Sequence, residues 1–154
     1  MKRRKKQAGV LYLFFVNALK IKKLYKLYSL IFPQQKSLWE RLAKKEESHV
    51  KILKNLCDKF NGGNGYLAVS QYSSQVIGYV GRFIDRQLEI AHSRELASAE
   101  ALETALSLEQ SVVEKKSFEM FMPLCADIET AFMSLNRQNQ HHVNVLTTAY
   151  DKIR

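Results

Sequence analysis

Apolar residues recur every three or four positions along most of the chain, which is the spacing of one face of an α-helix. We predict helices over residues 10–32, 37–60, 70–92, 99–121 and 125–153. The boundaries fall at helix breakers, namely Pro33, the run Asn61–Gly65 and Pro123. Four of these helices form a bundle in our interpretation, the stretch 70–92 is an amphipathic connecting helix, and Tyr66–Val69 is extended.

Two serines predict how helices begin. Ser37 followed by Glu40 matches a capping box, in which each side chain accepts a hydrogen bond from a free backbone N–H of the first turn. Ser98 is the expected N-cap of the next bundle helix, with Glu100 in the first turn, where negative charge is favourable.

Polar residues interrupt the apolar stripes of three helices. Asn17 lies on the stripe of the first helix, Glu46 and His49 on that of the second, and Asn139 and His142 on that of the last. An internal repeat links two of these helices, because residues 38–53 align with residues 131–146 without a gap and match His49 with His142 and Glu46 with Asn139. Chance similarity between two amphipathic helices is the alternative explanation, but both copies carry the histidine on the apolar stripe.

Composition favours one helical globular domain over residues 1–154. The chain is 46% apolar and contains only two prolines and six glycines. Cys57 and Cys125 are far apart and belong to no Cys-x-x-Cys pair, so they predict neither a disulfide framework nor a four-cysteine iron centre. Two isolated cysteines are typical of small apolar residues in a reducing compartment, and we expect a cytoplasmic protein.

Positive charge is concentrated at the N-terminus. Residues 1–26 carry nine basic residues and no acid, whereas residues 27–154 carry 15 of each, so the net charge of +9 belongs to the N-terminal part. The basic tail, residues 1–9, resembles the start of a secretory signal. The apolar run Ala8–Leu19 contains Asn17, lacks a cleavage motif and is shorter than the roughly 20 residues that span a bilayer. We therefore expect an uncleaved helix that contacts a membrane peripherally at most.

The combined motifs resemble the rubrerythrin-like branch of the ferritin-like superfamily. The matching segments, in order, are Leu24–Tyr28 with Phe32-Pro33, Trp39–Ala43, Glu46-x-x-His49 and Ala101–Glu114. The resemblance implies an all-α fold, a ferritin-like antiparallel four-helix bundle of two helical hairpins. Residues 61–97 would form the crossover between the hairpins and contain the connecting helix.

The resemblance also implies a metal site, since ferritin-like di-metal proteins use one glutamate from each of two helices and Glu-x-x-His from each of the other two. Glu46 and His49 match one such pair, Glu109 matches a lone glutamate, and His142 matches the second histidine. Asn139 stands where the second pair has glutamate. The first helix has no carboxylate, and Asn17 lies close to the expected position.

Two amides in place of two carboxylates change the expected cofactor. A complete di-iron centre is not expected, because two carboxylates do not balance two dications. One Fe, Zn or Mn ion fits the remaining two glutamates and two histidines. The alternative is a metal-free network of carboxylate–imidazole hydrogen bonds, completed by the two asparagines. Tyr25 and Tyr28 are interpreted as core aromatics, with a donor role beside the ligands as the alternative.

Two functions stay open at this point. One is a metal-binding protein with iron-dependent peroxide or iron-redox chemistry, that is, a non-haem iron oxidoreductase of the peroxidase or ferroxidase type. The other is a non-catalytic binding or assembly protein that uses its basic N-terminus. We expect a homodimer that covers the apolar segment Val10–Val16, and a weak contact of Lys2–Lys6 with an anionic membrane or an acidic partner. No recognition motif predicts specific nucleic acid binding.

Overall fold

A computed structural model of the protein describes the backbone of residues 2–61, 67–69, 71–114, 121–123 and 126–153. Side chains are described for residues 12–55, 57–58, 77–110 and 130–153, except 131, 132, 135, 136 and 139. Over these ranges the chain forms five α-helices: α1 (Lys2–Ile31), α2 (Lys36–Asn61), α3 (Gln71–Ser93), α4 (Ser98–Glu114) and α5 (Ala126–Ile153). None of the described helices is both long enough and apolar enough to cross a membrane.

The helices pair as two hairpins. Helix α1 packs on α2, α4 packs on α5, and α3 lies along α1 within the long connection between the hairpins. The predicted all-α bundle with a connecting helix is confirmed. Two three-residue strands accompany it: β1 (Leu67–Val69) pairs antiparallel with β2 (Phe121–Pro123), with Ala68 opposite Met122.

Three predicted helix boundaries were wrong. Helix α1 begins at Lys2 instead of Val10, since the lysines and arginines of the tail are good helix formers. Helix α4 ends at Glu114, and Phe121, the predicted end of that helix, begins strand β2. Ser37 does not cap α2, because a 3₁₀ turn, Pro33–Gln35, leads directly into a helix that already includes Lys36.

The start of α4 differs from the prediction by one residue. The carbonyl of Ala97 accepts the N–H of Ala101 at 3.2 Å, so Ala97 occupies the capping position and Ser98 is already helical. Glu100 accepts the backbone N–H of Ala97 at 3.4 Å and pairs with Arg94 at 2.8 Å. Glu100 thus satisfies the backbone N–H of the capping residue Ala97, and Ser98 is not the N-cap.

The core lies where α1, α2 and α4 meet. Trp39 is fully buried and contacts Tyr28 edge-on at 4.8 Å between ring centroids, and Tyr25 at 5.7 Å. Each such side chain stabilises the fold by about 1.5–3 kcal/mol through burial alone. The same core includes residues from all five helices: Leu24, Leu42, Ile84, Leu102, Leu108 and Leu146.

Helix α3 covers the side of α1 that faces away from the bundle centre. The Asn17 amide nitrogen donates to the backbone carbonyl of Ile77 at 2.9 Å, and Lys20 pairs with Asp85 at 3.0 Å. The approach depends on Gly81, since a Cβ there would lie only 2.8 Å from Asn17 Oδ1. Position 17 is thereby fixed against α3.

Candidate metal centre

Four ionisable residues lie together at the centre of the bundle. Glu46 and His49 come from α2, Glu109 from α4 and His142 from α5, with exposures of 3%, 2%, 2% and 0%. Charged groups are rarely buried without partners, because their transfer out of water is costly. The structure thus brings together all four residues that the family resemblance implied.

One oxygen of Glu109 is held by a tyrosine of α1. The Tyr25 hydroxyl donates to Glu109 Oε1 at 2.6 Å, and the tyrosine is fully buried. Burial and then the charges of Glu109 and Glu46 raise the pKa of Tyr25 well above its ordinary value. The phenol therefore stays protonated and remains a donor, which leaves Glu109 Oε2 as the oxygen that faces His142, 3.3 Å from its Nδ1.

One oxygen of Glu46 is held in a similar way. His49 lies one turn further along α2, and its Nδ1 is 3.2 Å from Glu46 Oε1. The other oxygen, Oε2, is buried without a hydrogen-bond partner and lies 3.8 Å from His142 Nδ1. Each of the two glutamates consequently presents one oxygen to the same imidazole.

Both glutamates of the site approach the imidazole of His142. Among the described residues, neither of its ring nitrogens has a hydrogen-bond partner, and His49 Nε2 also lacks one. The two imidazoles stack with centroids 5.2 Å apart. Buried polar atoms are nearly always satisfied in folded proteins, so this group of unpartnered donor and acceptor atoms is the signature of a site that takes a further ligand.

A metal ion fits this arrangement. Glu46, Glu109 and His142 each offer a ligand atom, and these atoms lie within 4.8 Å of one another. Bond lengths of about 2.0–2.2 Å to one ion require ligand atoms at most about 4.4 Å apart, so only a small closure is needed. One divalent ion also balances the two carboxylates. His49, which we also predict as a ligand, lies outside this three-residue group, and its Nδ1 is next to Glu46 Oε1.

Sequence analysis missed Gln138 of α5. Its Oε1 is buried without a hydrogen-bond partner, and the amide is close enough to His49 to influence its pKa. The available signal was position, because Gln138 lies four residues before His142 and so shares its face of the helix. Asn139 lies in α5, and its side chain is outside the described residues.

Asn17 faces α3, as its hydrogen bond to Ile77 shows. The α1 position on the same face as Tyr25, two turns earlier, is Ala18, which is 4% exposed. In the described part of α1, the site receives the phenol of Tyr25 and no carboxylate.

Charge shapes the pKa values of the site. Burial alone lowers the pKa of His49, but Glu46 and Glu109 outweigh it, and the net shift is upward. Burial raises the pKa of Tyr28, the neighbour of Tyr25 in the core, to about 12. Both tyrosines are therefore neutral at physiological pH.

Comparison with known proteins agrees with this arrangement. A protein-family model described as Rubrerythrin matches residues 6–150. No curated protein and no solved structure matches the chain significantly.

Proposed function

This chain belongs to the rubrerythrin family, and we propose that it binds one divalent metal ion through Glu46, Glu109 and His142. The observation that carries the proposal is the convergence of their ligand atoms within 4.8 Å in a site closed to solvent. The unpartnered atoms Glu46 Oε2 and His142 Nδ1 support it, because a cation would satisfy both.

A single ion fits the carboxylates better than a pair. Bridging two metals engages both oxygens of a glutamate, whereas Tyr25 already occupies Glu109 Oε1 and His49 lies against Glu46 Oε1. The four-carboxylate set of ferritin-like di-metal proteins is also incomplete on α1. A complete di-iron centre therefore does not fit these residues.

The residues around the ligands have separable roles. Tyr25 fixes the orientation of Glu109, and His49 fixes that of Glu46, so each carboxylate aims its free oxygen at His142. Burial excludes bulk water, which strengthens these electrostatic interactions. The protonated phenol of Tyr25 is the hydroxyl donor that touches a ligand carboxylate.

Iron, manganese and zinc all suit a carboxylate–imidazole site. Bound iron would supply one-electron chemistry toward peroxide or oxygen. We infer a non-haem iron oxidoreductase of the peroxidase or ferroxidase type as the activity that follows from family and site together.

The test compares two adjacent histidines. His142 is fully buried, whereas its neighbour His141 is exposed. Metal-free protein is titrated with Mn²⁺, Zn²⁺ and, without oxygen, Fe²⁺, using calorimetry and elemental analysis. We expect one ion per chain, retained in His141→Ala and lost in His142→Ala, with circular dichroism confirming that both variants fold.

Two ions per chain would contradict the single-ion site. No binding by the folded wild-type protein would contradict the metal-binding proposal itself. Loss of binding in both histidine variants would show that the interaction is not specific to the buried site.

A further inference from the structure

A surface groove runs along the outer side of the same two helices that carry Glu46 and His142. Its volume is about 450 Å³, and it lies between α2 and α5. The floor is apolar, and the rim is polar and basic; the lining residues are Leu38, Arg41, Val145, Thr148, Ala149 and Lys152. The helices run antiparallel here, since Leu38 and Arg41 meet residues 144–152 while Glu46 meets His142.

Among the described residues, the two cations that line this groove, Arg41 and Lys152, have no anionic partner. The ion pairs among the described residues include none to Arg41, Lys45 or Lys152, whereas Lys20, Lys22 and Lys36 are each paired with an acid. Arg41 and Lys45 are close enough to His141 to influence it electrostatically. Within the part of the chain that the structure describes, no ion pair therefore neutralises the positive charge of this face.

Acids are scarce on both walls of the groove. Asp151 is the only acid between residues 137 and 152, and Glu40, the only acid between residues 36 and 45, pairs with Lys36 at 3.8 Å. The α5 residues that line the groove, 144–152, extend over about 12 Å at the helical rise of 1.5 Å per residue. This length exceeds what one small anion can contact.

The apolar floor narrows the choice of occupant. A free phosphate or a flexible acidic tail would contact the cations but leave Leu38, Val145 and Ala149 uncovered. An amphipathic helix with acidic flanks satisfies both requirements, because its apolar side chains enter the groove while its carboxylates meet the rim. Charge at the rim chiefly guides association, and apolar contact at the centre supplies most of the affinity.

We propose that this groove between α2 and α5 docks an acidic amphipathic helix of a partner protein. The groove lies on the same two helices as the buried site, since Arg41 is five residues before Glu46 on α2 and Val145 is three residues after His142 on α5. Docking itself requires no metal.

The experiment uses a synthetic helical peptide of Glu, Ala and Leu, about 18 residues or five turns long, with Leu on one face and Glu on its borders. Fluorescence anisotropy measures its binding to the full chain. The groove variant is Arg41→Glu/Lys152→Glu. The control variant is Lys51→Glu/Lys54→Glu, which makes the same charge change at two exposed lysines of α2 outside the groove lining.

We expect at least a tenfold loss of affinity in the groove variant, about 1.4 kcal/mol, because two attractive cations at the rim become carboxylates that repel the peptide. The control should lose less than threefold. A second peptide with Leu replaced by Ser, at unchanged charge, should bind at least tenfold more weakly. Equal losses in the two protein variants, or equal binding of the two peptides, would overturn the proposal, since both indicate unspecific charge attraction.

Two further outcomes would identify a different occupant and also overturn the proposal. In the first, phosphatidylserine vesicles displace the peptide, and they bind the groove variant more weakly than the control. The groove would then be a membrane-contacting face. The other is a wild-type dimer that becomes monomeric in the groove variant, measured by sedimentation, which would assign the groove to a second copy of the chain.

Discussion

Helices α1 and α4 both approach the buried site, but only α4 gives it a carboxylate. Glu109 of α4 directs one oxygen at His142, whereas α1 contributes the phenol of Tyr25 and, two turns earlier on the same face, Ala18. The polar residue that α1 does carry nearby, Asn17, is bonded to α3. One helix thus supplies a ligand, and the other holds that ligand in place.

The difference shows how two carboxylates, instead of four, could be arranged to hold one metal ion in a bundle. An unsatisfied carboxylate oxygen is costly in a dry core, and Tyr25 satisfies the one that would otherwise face α1. The remaining oxygens are sufficient for one dication. Substitutions on each helix therefore test whether α4 supplies a ligand and α1 only positions it.

The largest loss of metal affinity is expected from a substitution on α4. Glu109→Gln keeps the shape of the side chain but removes a charged ligand, and we expect metal affinity to fall at least about 100-fold, because changes to groups that merely support ligands already cost 10- to 100-fold. Calorimetric titration with Mn²⁺ measures it. Glu103→Gln, at an exposed glutamate of the same helix, is the control and should bind like the wild type. Similar affinity in Glu109→Gln would remove α4 from the site.

A smaller effect is expected on α1. Tyr25→Phe deletes the hydroxyl that holds Glu109, so we expect about a tenfold loss of metal affinity and a loss of about 1–3 kcal/mol in the free energy of unfolding, because a buried oxygen loses its donor. Titration and urea unfolding measure the two. Tyr28→Phe, an equally conservative change in the same core, should leave metal affinity unchanged. If both tyrosine variants bind metal like the wild type, Tyr25 has no positioning role.

Substitutions on the side of α1 that faces α3 should lower the stability of the fold and leave metal binding unchanged. Asn17→Ala removes the hydrogen bond to Ile77, so we expect a loss of about 1 kcal/mol in the free energy of unfolding and unchanged metal stoichiometry and affinity. Gly81→Ala should be destabilising in the wild type, where the new Cβ meets Asn17 Oδ1 at 2.8 Å, and less so when combined with Asn17→Ala. Additive effects, or metal loss in Asn17→Ala, would show that position 17 acts otherwise.

The smallest expected effect is on pH dependence. Burial lowers the pKa of His49, but Glu46 and Glu109 raise it by more, so the net shift is upward. The folded state therefore takes up a proton more readily than the unfolded one. The stabilisation from this proton uptake is fully present below the pKa of the unfolded state, about 6.5. It is lost as pH rises through the raised pKa of the folded state. Urea unfolding of metal-free protein from acidic to alkaline pH should show this fall. His49→Gln should flatten it, and the change at the exposed His92→Gln should not.

The arrangement of helices could be predicted from the sequence because the helices carry apolar stripes, and α1 and α2 end at a proline and a glycine-rich run. Helix starts were harder, since Ser37 has the right residue type for a cap but a preceding 3₁₀ turn already supplies helical backbone. The strand pair β1–β2 could not be predicted in full. It joins segments more than 50 residues apart, and only Leu67–Val69 had an extended pattern.

For the site as well, the sequence indicates which residues come together but not how their side chains are oriented. Glu46, His49, Glu109 and His142 could be found from spacing, and the structure brings them together. The direction of each donor could not be found from spacing, because it depends on contacts between helices. Thus Tyr25 was interpreted chiefly as packing, although it bonds to a ligand, and Gln138 was overlooked beside Asn139.

The hydrogen bond between Asn17 and Ile77 limits which substitutions of α1 could add a carboxylate to the site. The amide can donate to the Ile77 carbonyl at 2.9 Å, but an ionised glutamate at position 17 could only accept, and two oxygens would then face each other across that gap. A glutamate at position 17 alone would therefore not add a carboxylate to the buried site while α3 keeps its place. Gly81 of α3 approaches the same side chain, so the position of α1 that could carry a further carboxylate toward the site is Ala18, on the same face as Tyr25.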